Sequence, residues 1–165
     1  MEFNHFDSRG NAIMVDVSGK EPTLRTATAA AEVRMSPALL AAIRDSKVAK
    51  GDVLGVARLA GIAAAKRTPE LIPLSHPLAL HGVGIEFEQD PAAGRIGVTC
   101  TVRAFERTGV EMEAMTGAAL AALTIYDMCK GSDKSISIGE IRLLYKEGGK
   151  SGVYVREGEQ TGEPS

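Results

Sequence analysis

The sequence contains no tryptophan, and aromatic residues make up only 4% of its 165 residues. Alanine and glycine are plentiful instead, and small side chains fill little volume in a core. A monomer of this size would therefore have a thin core, and burial of surface between subunits is one way to compensate. The composition thus favours a homo-oligomer without requiring one.

Cysteine is scarce as well. Cys100 and Cys129 are the only two, and their spacing is not that of metal ligands, so we expect two reduced, buried thiols. No apolar run reaches the roughly 18 residues that a membrane span needs. Residues 1–10 also lack the apolar segment of a signal peptide. We therefore expect a cytoplasmic protein with no membrane partner.

Neither sign of charge dominates. The formal net charge is −2, which argues against a broad surface for nucleic acid. A local cationic pocket is compatible with this balance. We therefore expect a small-molecule ligand and no nucleic acid partner.

Periodicity and capping residues predict alternating strands and helices. Residues 21–35 carry threonines and small residues with no helical stripe, which favours a long strand. Ser36-Pro37 is typical of a helix start, here of a helix to about Lys47. Asp52 caps a second helix that ends near Pro69. The other predicted segments are an ordered loop at 71–78, strands at 81–89, 95–105 and 135–145, and a long helix at 111–129.

This order predicts an α+β fold, a ferredoxin-like β-α-β-β-α-β sandwich with an extra helix after the first strand. We expect a flexible N-terminal arm (1–20), a single domain that carries any catalytic site (21–147) and a flexible C-terminal tail (148–165). Because this architecture hosts many unrelated activities, it indicates no function by itself.

The end of the long helix carries two candidate proton-transfer groups. Asp127 and Lys130 are three residues apart and share a helix face. Such a pair is usually a weak surface salt bridge. Here, however, it ends an almost wholly apolar stretch, where burial is expected. A buried carboxylate beside an ammonium can exchange protons near neutral pH.

The start of the same helix carries Glu111 and Glu113. Acids in a first turn favour the helix dipole, which is the ordinary explanation for them. Glu113 and Asp127 fall on one stripe, yet at 1.5 Å per residue they lie about 21 Å apart. One nucleotide-sized pocket could hardly engage both. If both ends bind one ligand, the pocket combines ends from two chains.

Candidate phosphate-binding cations flank the second helix. Lys66-Arg67 is either a favourable charge pair at a helix C-terminus or a polyphosphate clamp, and Lys50 precedes the helix. Neither GxxxxGK[ST] nor GxGxxG occurs. Residues 148–152 (GGKSG) superficially resemble a phosphate loop but lack its first glycine and its following helix.

His76 stands in a stiff, proline-flanked loop. A lone histidine is more often a packed structural residue than a functional one. His5 and His81 offer no third ligand at a convincing spacing, so no metal site is expected.

Seven segments, in order along the chain, resemble the MoaC family of cyclic pyranopterin monophosphate synthases, which acts in molybdenum cofactor biosynthesis. Several of them are long and compositionally unusual. They are residues 14–18 (MVDVS), 50–53 (KGDV), 57–62 (ARLAGI) with 64–68 (AAKRT), 71–78 (LIPLSHPL), 108–114 (TGVEMEA), 121–130 (AALTIYDMCK) and 148–152 (GGKSG).

The resemblance implies a ferredoxin-like subunit in a hexamer, built as a trimer of dimers with active sites between subunits. It also implies a lyase without a resident cofactor, although magnesium could accompany the substrate. The substrate would be a 3′,8-cyclised dihydroguanosine triphosphate. The products would be cyclic pyranopterin monophosphate and diphosphate.

The resemblance also implies roles for particular residues. Asp127 and Lys130 correspond to a catalytic acid/base pair and Lys66 to a third catalytic cation. Ser75 stands where the family pattern has cysteine, so a thiol is not essential there. The implied substrate contacts are Leu74, Ser75, His76, Met112, Glu113, Glu111, Lys50, Arg25 and Arg107.

Two alternatives remain open from the sequence. A non-catalytic nucleotide- or pterin-binding sensor would bind tightly without turnover. A nucleic-acid-binding domain would show salt-dependent binding, but the chain lacks the aromatic strand motif of such domains.

Overall fold

The computed structural model describes residues 5–45, 48 and 51–159. The chain folds into one five-stranded antiparallel sheet with helices on one face. The strands are β1 (Thr23–Arg34), β2 (Leu80–Asp90), β3 (Arg95–Glu106), β4 (Ser137–Glu147) and β5 (Tyr154–Val155), and the helices are α1 (Pro37–Arg44), α2 (Val53–Lys66), α3 (Thr68–Leu71) and α4 (Glu111–Cys129).

The sheet order is β2-β3-β1-β4-β5. Strand β1 lies in the middle and pairs antiparallel with both β3 and β4. The crossovers through α2 and α4 each connect two parallel strands that are separated by one antiparallel neighbour. This topology confirms the predicted α+β ferredoxin-like sandwich and its extra helix, α1.

The predicted helix starts are confirmed by their caps. Ser36 accepts a hydrogen bond from the Leu39 amide at 3.4 Å, and Asp52 accepts one from the Gly55 amide at 2.8 Å. Residues 46 and 47, where the first helix was expected to end, lie outside the described residues. The short helix α3 was not predicted. Pro69 occupies its first turn, where a missing amide hydrogen costs nothing.

Small residues let the layers approach closely. A Cβ atom at Gly61 would lie 2.8 Å from the carbonyl oxygen of Gly117, and one at Gly117 would lie 2.6 Å from the Cys100 sulfur. Gly61 also approaches Ala121, whereas Gly117 approaches Ala65. The contacts thus run in opposite directions along the two helices, so α2 and α4 are antiparallel.

The antiparallel packing decides which groups share an end of the helical layer. One end carries Lys66 at the C-terminus of α2 and Glu113 at the N-terminus of α4. The other end carries the Asp52 cap and, at the end of α4, Asp127 and Lys130. Neither thiol is in a disulfide and both are buried, as expected. No helix in the described part of the chain is long and apolar enough to cross a membrane.

The termini contain structure that the sequence did not predict. Phe6 and Ala12 form an isolated antiparallel bridge within the proposed arm. Strand β5 lies within the proposed tail and pairs with Tyr145 and Lys146 of β4. The partition into arm (1–20), domain (21–147) and tail (148–165) stays a prediction.

Candidate active site

A cavity of about 790 Å³, here called the histidine cavity, opens at the N-terminal end of α4. The loop between α3 and β2 forms one wall and the first turn of α4 another. It brings together six of the residues that the resemblance marks as substrate contacts, although they lie in two separate segments. They are Leu74, Ser75, His76, Glu111, Met112 and Glu113.

His76 is tied to the N-terminal segment. Its Nε2 lies 2.7 Å from the carbonyl oxygen of Val15. Because a carbonyl only accepts, Nε2 carries the hydrogen, and in the neutral ring Nδ1 is left as an acceptor. Val15, Val17 and Lys20 also line the cavity. The proposed arm is therefore a wall of the cavity as well.

Glu113 is the strongly perturbed acid of the site. Only 3% of its surface is exposed. Burial penalises the charged carboxylate and raises the pKa of Glu113 from 4.5 to about 7, and the negative charge of Glu111 adds to the rise. Near neutral pH this group can therefore both give and accept a proton.

The raised pKa of Glu113 predicts a pH-dependent stability difference. Between pH 4.5 and about 7 the unfolded chain releases this proton while the folded chain keeps it. The carboxyl therefore destabilises the fold increasingly over that range and by a constant amount above it. At pH 7 the free energy of unfolding of Glu113→Gln should exceed that of the wild type by up to about 2 kcal/mol, after allowance for solvent screening in the cavity.

Urea unfolding of both proteins from pH 4 to 8 measures this difference. Met112→Leu, one residue away, removes no titrating group and should follow the wild-type profile. A difference in unfolding free energy between Glu113→Gln and the wild type that stays constant between pH 4.5 and 7 would contradict the raised pKa of Glu113.

A second cavity of about 740 Å³, here called the arginine cavity, adjoins the first. The two share Lys20, Thr108, Gly109 and Glu111. Arg25 and Arg107, both implied by the resemblance, line it. Its other cations were not predicted from the sequence; they are Lys20, Lys146 and Lys150.

Lys146 is held at the boundary between the two cavities. Its Nζ donates to Glu111 Oε1 at 2.7 Å, and both side chains are mostly buried. The strand predicted over 135–145 ended one residue too early to include it. Lys146 lies opposite Ala27 and therefore on the helix side of the sheet, a position that depends on strand register and carries no signal in the sequence pattern alone.

Lys66 lies apart from both cavities. Its side chain is exposed and borders a shallow depression of about 340 Å³ beside β2. That depression shares Leu78 with the histidine cavity. Arg67, its predicted partner in a phosphate clamp, does not line the depression. Lys50 lies outside the described residues.

Asp127 and Lys130 form the expected pair, but not in the expected surroundings. Lys130 Nζ lies 2.6 Å from Asp127 Oδ1. The side chain of Lys130 is 53% exposed and that of Asp127 is 58% exposed. The expectation of burial is therefore wrong for the single chain, because this face of α4 is uncovered. The hydrogen bond and the negative charge of Asp127 raise the pKa of Lys130.

The pair lines neither of the two cavities. It lies at the opposite end of α4 from Glu113, about 21 Å away along the helix. A single chain thus separates the predicted catalytic pair from the predicted substrate contacts. Within the described residues, no group of three or more histidine, cysteine, aspartate or glutamate side chains is arranged to hold a metal ion.

Comparison with known proteins gives one consistent family. The family model described as "MoaC family" matches residues 14–149. The chain is 78% identical to the cyclic pyranopterin monophosphate synthase of Pelobacter propionicus over 157 residues, which cover 95% of this chain and 98% of the relative. Proteins of the same name from Geotalea uraniireducens and Geobacter sulfurreducens are 73% and 72% identical. The alignment with the Geotalea protein covers 97% of this chain and 100% of the relative. The alignment with the Geobacter protein covers 95% of this chain and 98% of the relative.

Proposed function

The chain belongs to the MoaC family, and from that membership we propose that it catalyses the cyclic pyranopterin monophosphate synthase reaction of molybdenum cofactor biosynthesis. The substrate is (8S)-3′,8-cyclo-7,8-dihydroguanosine 5′-triphosphate. The products are cyclic pyranopterin monophosphate and diphosphate. Near-complete coverage at 72–78% identity to relatives of that name supports the proposal.

The observation that carries the proposal is the pair of adjoining cavities. The histidine cavity, with His76 and Glu113, suits the ring system that exchanges protons. The arginine cavity, with Arg25, suits the phosphates. Each measures 740 to 790 Å³, which is within the usual range for a small-molecule site. Because they share a wall at Glu111, one elongated nucleotide can occupy both.

The residue types suit the chemistry. Opening a purine ring and closing a pterin ring requires several proton transfers, for which a carboxylate and an ammonium can alternate. We assign these transfers to Asp127 and Lys130, with Lys66 as a further cation. In the phosphate step, a hydroxyl oxygen of the substrate attacks its own α-phosphorus and diphosphate leaves. Cations stabilise the negative charge on the departing group.

The assignment requires more than one chain. The end of α4 with Asp127 and Lys130 lies about 21 Å from the end with Glu113. A two-fold axis across the helical layer would bring one subunit's Asp127 end beside its partner's Glu113 and Lys66 end. We therefore propose sites between subunits, in the homohexamer, built as a trimer of dimers, that the resemblance to the MoaC family implies.

The outer face of the helical layer supports this contact. Large apolar side chains are exposed there on both helices; they are Val56, Leu59, Met112 and Leu123. Leu59 is 70% exposed, and an exposed apolar patch of this kind favours burial against another protein surface. The same packing would set the cation Lys66 of one subunit near the partner's Asp127, which is electrostatically favourable.

We propose a cytosolic reaction in which the chain supplies no organic cofactor, and in which any magnesium ion enters with the substrate triphosphate. Incubation of the purified chain with the cyclised nucleotide tests the function. The proposal expects equal amounts of cyclic pyranopterin monophosphate and diphosphate. Tight binding with neither product would instead favour a sensor module.

A further inference from the structure

The turn after β4 contains two glycines that touch other parts of the arginine cavity. Gly148 has a φ of +105° and Gly149 a φ of +69°. A Cβ atom at Gly148 would overlap the carbonyl oxygen of Leu24, and one at Gly149 would overlap the guanidinium of Arg25. The backbone of Gly149 therefore lies directly against Arg25, and any side chain there would have to displace the guanidinium.

Arg25 is an unusual residue to find in this position. Only 8% of its surface is exposed. Its Nε donates to the Glu106 carbonyl oxygen and its Nη2 to the Arg107 carbonyl oxygen, both at 3.2 Å. Within the described residues, Arg25 forms no ion pair. A guanidinium has five N–H donors, so these two bonds leave donors available to an anion in the cavity.

The surrounding charges also favour an anion. The lining holds the three acids Glu21, Glu111 and Glu147 against five cations. Glu111 is paired with Lys146, and Glu147 accepts a hydrogen bond from the Tyr145 hydroxyl at 2.8 Å. Lys20, Arg107 and Lys150 add positive charge to that of Arg25. A fixed, planar guanidinium with neighbouring lysines is the arrangement that binds phosphate oxygens in pairs.

We propose that the Gly148–Gly149 turn is a positioning element that fixes the guanidinium of Arg25 in the arginine cavity, and that this cavity holds the diphosphate portion of the substrate. The inference rests on the proposed function for the identity of the ligand. The glycines of the turn supply the space in which Arg25 lies.

Calorimetric titration of the full-length protein with inorganic diphosphate tests the inference. Gly149→Ala should weaken binding at least about tenfold, because the displaced guanidinium loses charge-assisted hydrogen bonds to the ligand. Gly152→Ala is the matched control. Its φ of +67° imposes the same backbone strain, but its Cβ would meet nothing within 4 Å, so its affinity should stay within about twofold of the wild type.

A second pair of variants removes most of the strain. Asparagine tolerates a left-handed φ better than alanine, so Gly149→Asn should weaken binding while Gly152→Asn does not. Arg25→Lys should itself weaken binding, and adding Gly149→Ala to it should cause little further loss. With the nucleotide substrate, Gly149→Ala should raise KM more than it lowers kcat.

Equal diphosphate affinity in the Gly149 and Gly152 variants would overturn the inference. So would additive losses in the Arg25→Lys, Gly149→Ala double variant. Wild-type turnover is measured separately, since it tests the proposed function. If the wild type shows no turnover but its diphosphate binding still depends on Gly149, the proposed synthase function is wrong. The positioning role of the Gly148–Gly149 turn would then stand by itself.

Discussion

Replacing Lys130 by alanine is expected to lower kcat by about a thousandfold, the usual scale of a lost proton-transfer group. Lys130 lies 2.6 Å from Asp127, and that contact raises its pKa. The raised pKa keeps the ammonium protonated at neutral pH, which is the form that a proton donor needs. Single-turnover measurement of diphosphate release reports the step directly.

Two further variants distinguish loss of proton transfer from loss of positive charge and from a nonspecific effect of removing a lysine. Lys130→Arg keeps the positive charge but cannot release a proton, so it should remain as inactive as the alanine variant. Lys134→Ala removes an exposed lysine four residues along the chain and should stay within about twofold of the wild type. Unchanged turnover in Lys130→Ala would remove Lys130 from the mechanism. Recovery by arginine would reduce its role to electrostatics.

The sequence predicted most of the fold because the local signals agreed with one another. The Ser36 and Asp52 caps, the alternation in β2 and β3, and the long apolar α4 each appear where the patterns indicate. The short helix α3 was missed because a single turn has no periodicity to detect. Strand β5 was missed because two residues in a glycine-rich, charged stretch gain their structure only from pairing with β4.

The candidate site was less predictable. Resemblance supplied Arg25 and the substrate-contact role of Glu113. Composition and spacing do not reveal that Arg25 is a buried cation with no ion pair among the described residues, or that Glu113 is an acid with a raised pKa. Both properties depend on which chain segments pack around the side chain. Lys146 was not predicted as part of the site because its position in the cavity follows from the register of β4 against β1. The pattern of a single strand does not specify that register.

The separation of Asp127 from Glu113 has a sharp consequence for mixed assemblies. If each site takes Asp127 from one subunit and Lys66 from its partner, then Lys66→Ala and Asp127→Ala damage every site in their own homo-oligomers. In a dimer with one subunit of each kind, one site carries both defects and the other carries neither. Random pairing at equal amounts makes half of the dimers mixed, so about a quarter of all sites become intact.

Subunit mixing of the two inactive variants is therefore the most direct test of a site between subunits. The proteins are dissociated together in mild denaturant, reassociated and assayed for diphosphate release, with each variant treated alone as the control. The account predicts a rise from near zero to about a quarter of wild-type activity. A mixture that forms hybrid assemblies but stays as inactive as its separate components would contradict it.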